Sequence, residues 1–103
     1  MKKVINRKMY NTKTAEILHE WDNGIYGDDF ERCEETLYET KKGNYFIYGD
    51  GGAMSQYATT HGNFTSGGSD IIPLTLEEVL TWLEEHDGAD VIEERFQTEI
   101  EEA

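Results

Sequence analysis

The chain has little cysteine, little proline and, in its second half, almost no positive charge. Cys33 is the only cysteine among 103 residues, so no internal disulfide can form and a reducing compartment is expected. Proline occurs once, and no apolar run approaches the ~20 residues that a membrane-spanning helix needs. We therefore expect a single cytoplasmic domain over residues 1–103, frayed at residues 97–103, with no membrane partner.

The shortage of positive charge divides the chain into two unequal halves. Residues 1–50 carry 8 Lys and Arg against 10 Asp and Glu, whereas residues 51–103 carry Arg95 alone against 12 acids. The net charge of -13 therefore splits into -2 and -11. An acidic half of this kind repels nucleic acid and attracts basic surfaces, including those with which other proteins hold nucleic acid. This pattern indicates a binding protein with a basic partner, and direct nucleic-acid binding is not expected.

Residues of high β-propensity predict a small antiparallel sheet. Tyr45–Tyr48 is entirely aromatic or β-branched, and the turn Lys41–Asn44 joins it to the alternating segment Cys33–Tyr38. Shorter strands are predicted at Lys3–Ile5, Met9–Tyr10 and Ile71–Ile72.

Helical spacing of apolar residues predicts three or four helices beside that sheet. Thr75 and Glu78 form a capping-box pattern at the start of Thr75–His86, the strongest helical pattern in the chain. Further helices are predicted at Thr12–Asp22, Ala53–Thr59 and Ala89–Ile100.

These elements predict an α+β fold of about four to five short strands packed by three to four helices. The predicted core consists of apolar side chains on the inner faces: Ile5, Ile17, Leu18, Leu37, Phe46, Tyr48, Ile72, Val79, Leu80 and Leu83. The sequence leaves the oligomeric state open, because aromatic residues such as Tyr26, Tyr57 and Phe64 would suit either a dimer or a partner surface if they are exposed.

The acidic residues of the second half are the candidate partner-binding site. A helix that served only as scaffold would usually intersperse Lys for i, i+4 pairs, but here Arg95 alone interrupts the acids after Glu84. The alternative is that the acids are only a solvated surface. The candidate residues are Glu77, Glu78, Glu84, Glu85, Asp87, Asp90, Glu93 and Glu94, together with Asp28 and Asp29 in an earlier Gly- and Asp-rich loop.

The sequence predicts no catalytic residue, no metal site and no cofactor. His19, His61, His86 and Cys33 show neither CxxC nor HxxxH spacing. Adjacent carboxylates such as Glu84 and Glu85 point about 100° apart on a helix, so they do not converge on one cleft as an acid/base pair must. The glycine-rich segments match neither a P-loop nor a dinucleotide-binding pattern.

Three segments carry a resemblance to a known group of proteins: KKVINRKMYNTKTAEILHEWDNG, CEETLYETKKGNYFIYGDGGAMSQYA and SGGSDIIPLTLEEVLTWLEEH. Over residues 2–86 the chain resembles small acidic proteins from mobile elements of Gram-positive bacteria, a group that includes anti-CRISPR inhibitors of the type II-A effector nuclease. The resemblance implies a non-enzymatic phage or mobile-element protein that binds a basic groove of that nuclease and blocks guide RNA assembly or target DNA binding.

Two other functions remain open at this point. The alternative is a non-enzymatic accessory or regulatory protein of a mobile element that binds a basic DNA-binding partner. An enzyme, such as a nuclease acting on RNA, would instead require a clustered acid or histidine site.

Overall fold

A computed structural model describes residues 1–25 and 30–103 and has an α+β architecture. Its centre is a four-stranded antiparallel sheet with the strand order β3-β4-β5-β8. The bounds of these strands are Glu16–Asp22 for β3, Cys33–Glu39 for β4, Tyr45–Gly51 for β5 and Gly68–Leu74 for β8. The predicted hairpin around Lys41–Asn44 is confirmed, with Leu37 opposite Ile47 and Tyr38 opposite Phe46.

Two helices, fewer than the predicted three to four, cover one face of the sheet. They are α1, Leu76–Glu85, and α2, Ala89–Arg95, followed by a single 3-10 turn at Gln97–Glu99. Leu37 and Ile47 face this layer and pack with buried residues of both helices, including Val79, Leu83 and Ile92. No helix in the described part of the chain is both long and apolar enough to cross a membrane.

A two-stranded hairpin covers the opposite face. Its strands, β1 at Lys2–Ile5 and β2 at Lys8–Asn11, form a sheet of their own and do not join the central one. Tyr10 of β2 packs against Tyr38, Phe46 and Ile71, the residues that alternate with the helix-facing ones. The domain therefore has three layers: hairpin, sheet and helices.

The ion pair between Lys3 and Asp70 fastens the hairpin to the edge strand β8. The Lys3 ammonium lies 2.7 Å from an Asp70 carboxylate oxygen, and this hydrogen bond lowers the pKa of Asp70. A carboxyl whose pKa is lower in the folded state stabilises the fold above its unfolded pKa, and that contribution is lost as the pH falls through the folded value.

We accordingly expect Asp70→Asn to lower the free energy of unfolding at pH 7 by at most about 1 kcal/mol, because the pair is half exposed. The difference from the parent should vanish in acid, at pH values well below the ordinary Asp pKa of about 3.9. Urea unfolding of both proteins at neutral and acid pH measures it. An unchanged difference at low pH would contradict the assignment.

Three of the predicted helices need correction. The predicted helix Thr12–Asp22 is wrong, because Glu16–Asp22 is strand β3, with a bulge between Ile17 and His19. The bulge inserts one residue into the alternation, so Leu18 and Trp21 both pack against the helix layer at a spacing that imitates a helix.

The predicted helix Ala53–Thr59 is a series of turns that leads into β6, Thr59–His61. Ser55 Oγ donates to Gly52 O and accepts from the backbone N–H of Tyr57, so local side-chain bonds replace helical ones. The short strand β6 pairs with β7, Phe64–Ser66. The predicted helix Ala89–Ile100 ends at Arg95, and Ile100 is exposed.

The strand predicted at Ile71–Ile72 is longer and includes Pro73. Because β8 is an edge strand, it tolerates a residue without a backbone N–H. Of the predicted core, Leu37, Phe46, Val79 and Leu83 are fully buried. The sequence prediction is wrong for two residues, Ile17 and Ile72, which are exposed; Ile5, Leu18, Tyr48 and Leu80 are half-buried.

Candidate functional site

The acidic residues predicted as the partner site lie together on the outer surface of the helix layer. All eight in the described part of the chain are exposed, and we call this set the acidic face: Glu77, Glu78, Glu84, Glu85, Asp87, Asp90, Glu93 and Glu94. Asp28 and Asp29, the other two predicted residues, lie outside the described residues. The structure thus brings the eight predicted residues together on the helix layer. That they contact a partner remains a proposal.

Helix α1 arranges its four glutamates around one residue. Val79, Trp82 and Leu83 are buried against the sheet, which turns the remaining face outward. At 100° per residue, the glutamates at 77, 78, 84 and 85 fall within an arc of roughly 120°, and Thr81 occupies its middle. Thr81 is exposed. The result is a stripe of two carboxylate pairs on one side of the helix, with Thr81 between them and no cation.

The start of α1 is fixed by the predicted capping box. Thr75 Oγ1 accepts the backbone N–H of Glu78 at 3.2 Å, while Glu78 Oε1 accepts the backbone N–H of Thr75 at 2.9 Å. This second bond lowers the pKa of Glu78. Glu78 consequently stays ionised to lower pH than an ordinary glutamate, and the acidic face keeps this charge.

A tight junction at Gly88 continues the acidic face from α1 onto α2. The N–H of Gly88 donates to Leu83 O at 2.7 Å, and a Cβ on Gly88 would collide with a Leu83 methyl carbon. Only glycine allows this approach. The preceding residue, Asp87, has a φ of 58°, a conformation that Asp adopts more readily than most residues.

Arg95, the single cation of the second half, is turned towards the edge of the sheet. Its guanidinium donates to both carboxylate oxygens of Glu16, at 3.1 and 2.7 Å, and lies 3.8 Å from Glu39. Arg95 is therefore engaged by β3 and β4. It does not neutralise the stripe on α1.

A buried carboxylate lies beneath α1, where the sequence predicted no site. Glu35 of β4 is 7 % exposed and points to the helix side of the sheet. One carboxylate oxygen accepts a hydrogen bond from the Tyr57 hydroxyl and another from Gln56 Nε2, the latter at 2.9 Å. The other accepts the indole N–H of Trp82 at 3.1 Å. Tyr57 is thus buried beside Glu35 and does not belong to an exposed aromatic surface.

His86 completes this cluster at the end of α1. Its Nε2 lies 3.3 Å from Glu35, and its Nδ1 donates to Trp82 O at 2.6 Å. The imidazole stacks on Trp82 with ring centroids 4.5 Å apart and meets Trp21 edge-on at 4.6 Å. His19 Nε2 donates to His86 O at 2.8 Å, which ties this helix end to β3.

The chemistry of the Glu35 cluster is that of a structural polar centre. Burial and the bond to Glu35 raise the pKa of Tyr57, so its hydroxyl keeps its proton. Burial also raises the pKa of the nearby Cys33 thiol, which disfavours the reactive thiolate. Residues 1–25 and 30–103 contain no group of three His, Cys, Asp or Glu side chains placed to hold a metal ion.

Comparison with known proteins adds no relative. The chain matches no family model, no curated protein and no solved structure.

Proposed function

We propose that this protein is a stoichiometric, non-enzymatic inhibitor of a type II CRISPR effector nuclease, and that it binds a basic nucleic-acid-binding surface of the effector through the acidic face. One observation supports the proposal above the others. Eight exposed carboxylates lie on the helix layer, while the five cations of residues 1–13 belong to the segment that covers the other side of the sheet.

The spacing of the α1 carboxylates suits a site built for nucleic acid. Glu77 and Glu85 are eight residues apart, which is about 12 Å along a helix that rises 1.5 Å per residue. Four carboxylates over that length give one charge per roughly 4 Å, near the 3.4 Å per phosphate of a single DNA strand. The average charge density along the helix is therefore close to that of a nucleic-acid strand, although the charges are grouped in two pairs about 9 Å apart.

Binding of this kind inhibits by occupancy. A type II effector holds its guide and target in positively charged channels, so an acidic protein seated there excludes either strand. The energetic gain comes from the release of counterions, as it does for nucleic acid. Such binding blocks guide RNA assembly or target DNA binding without chemical turnover.

The test is DNA cleavage by a purified type II-A effector at increasing ratios of this protein to enzyme. We expect inhibition to saturate near equimolar protein and to weaken steeply between about 50 mM and 200 mM salt. Addition before or after the guide RNA identifies the blocked step, because prior guide loading protects the effector only if guide assembly is the target. Full cleavage at low salt with excess protein in both orders would refute the proposal.

A further inference from the structure

We propose a second binding site, a basic cleft that takes the phosphodiester backbone of a single-stranded nucleic acid. The cleft lies between the β1–β2 turn and the β4–β5 turn and encloses about 410 Å³. Its lining includes four cations and no acid: Arg7, Lys8, Lys41 and Lys42. The remaining lining residues are Met9, Tyr10, Thr14, Thr40 and Asn44.

The cations of this basic cleft have no acidic partner within the described part of the chain. Three of the five cations outside the cleft have acidic partners, namely Lys3 with Asp70, Arg32 with Asp50 at 2.6 Å and Arg95 with Glu16, whereas Lys2 and Lys13 have none among the described residues. Lys8 instead contacts only the Asn44 side-chain oxygen, at 3.4 Å. What distinguishes the cleft is that four such cations surround it with no acid in its lining, an arrangement that favours an anionic ligand supplied from outside.

Both turns that carry the cations are firmly built. In the β4–β5 turn, Thr40 N–H donates to Asn44 O at 2.7 Å and Gly43 N–H donates to Thr40 O at 2.9 Å, with Gly43 at a φ of 83°. The β1–β2 turn is held over the sheet by Tyr10, whose ring meets Phe46 edge-on at 5.5 Å. The charges are therefore brought together before any ligand arrives.

The chemistry of the basic cleft matches a nucleotide strand better than a free anion. Lys and Arg on both sides of the cleft can follow successive phosphates, and Thr14, Thr40 and Asn44 add hydrogen-bonding groups. Met9 is 55 % exposed and offers a polarizable apolar surface against which a base can pack. A volume of this size belongs to the range of small-ligand clefts and is too confined for a duplex.

The layered fold reconciles this site with the overall negative charge. The acidic face lies on the helix side of the sheet, whereas the hairpin that carries Arg7 and Lys8 lies on the other side. At 0.15 M salt the Debye length is about 8 Å, so the charges of the acidic face that lie further than this from the cleft are largely screened there. At 0.01 M the Debye length is about 30 Å, and the repulsion from these charges reaches the cleft. The nearest acids, Glu16 and Glu39, are engaged by Arg95.

The experiment is fluorescence anisotropy of a short labelled oligothymidylate with the isolated protein across a salt series. We expect affinity to rise from about 10 mM to about 100 mM salt as the repulsion is screened, and to fall again at higher salt as counterions compete. Lys41→Gln with Lys42→Gln should weaken binding about tenfold at the optimum and reduce the salt slope by about two.

The matched control is Lys2→Gln with Lys13→Gln, which removes the same charge from exposed positions outside the cleft. Equal losses in the two double variants, no binding at any salt, or equal affinity for a labelled polyglutamate peptide would each overturn the proposal. The assay contains no effector nuclease, so its outcome is independent of whether the protein inhibits one.

Discussion

Thr81→Lys is expected to weaken the proposed binding to the effector about a hundredfold while the fold becomes slightly more stable. The new ammonium would stand in the middle of the four glutamates of α1. Facing a basic groove, it places like charges together, which costs several kcal/mol, and roughly 2.8 kcal/mol corresponds to the hundredfold loss. Binding is measured by titration of DNA cleavage at fixed effector concentration.

The same substitution should stabilise the helix. The introduced lysine would lie four residues from Glu77 and Glu85 and three from Glu78 and Glu84, and such pairs contribute about 0.2–0.5 kcal/mol each. Loss of inhibition with an equal or higher melting temperature therefore cannot be ascribed to unfolding.

Thr60→Lys provides the matched control for Thr81→Lys. It makes the same chemical change at an exposed position of the β6–β7 hairpin, outside the helix layer. It should leave inhibition within about twofold, since rim and distant charges contribute little at physiological salt. If Thr81→Lys inhibits as well as the parent, or if Thr60→Lys loses as much, the acidic face is not the binding surface.

Glu35→Ala is expected to have the largest effect on stability and to lower the free energy of unfolding by about 3–5 kcal/mol. This substitution leaves the Tyr57 hydroxyl, the Trp82 indole N–H and the Gln56 amide without their shared acceptor. Tyr57 and Trp82 are both buried, and each buried donor that loses its acceptor costs about 1–3 kcal/mol. Urea unfolding at pH 7 measures the loss, which is a large fraction of the stability of a small domain.

Two further variants separate the network from simple packing. Tyr57→Phe removes one hydroxyl and keeps the ring, so we expect the free energy of unfolding to fall by about 1–2 kcal/mol. The double variant should cost less than the sum of the two single variants, because Tyr57 has already lost its acceptor in Glu35→Ala. A loss below about 1 kcal/mol for Glu35→Ala, or strict additivity, would show that the cluster contributes little.

The sequence predicted the fold correctly where the local propensity of a segment agrees with its packing in the folded domain. In α1 the capping box, the apolar stripe and the exposed acids all require the same helix, and the structure confirms it. In the β4–β5 hairpin, β-propensity and turn chemistry likewise agree. The layer that carries the acidic face was predictable for this reason, because helical periodicity assigns both a buried side and an exposed side.

The sequence failed where tertiary contacts override a local pattern. The bulge in β3 places Leu18 and Trp21 on one face, and only the pairing with β4 distinguishes that strand from an amphipathic helix. The turns after Gly52 follow from Ser55 bonds and from the burial of Tyr57 against Glu35. Neither the strand pairing nor these side-chain contacts can be predicted from neighbouring residues in the sequence.

The Glu35 cluster was also hidden, although one signal pointed towards it. Glu35 alternates with Cys33 and Leu37 on the face that the strand turns inward, and a glutamate between two such residues requires partners. The partners come from residues 21 to 51 positions away in the chain, so their identity depended on the fold.

Because the acids of the helix layer and the five cations of residues 1–13 lie on opposite sides of the sheet, the charge of this molecule is distributed asymmetrically and gives it a dipole moment. A cationic surface then exerts a torque on the approaching protein and turns its helices forward before the two surfaces touch. Docking of specific patches is normally slowed far below the diffusion limit by the need for correct orientation, and this torque removes part of that delay. The layering thus favours fast association with a cationic partner, as the proposed inhibition would require.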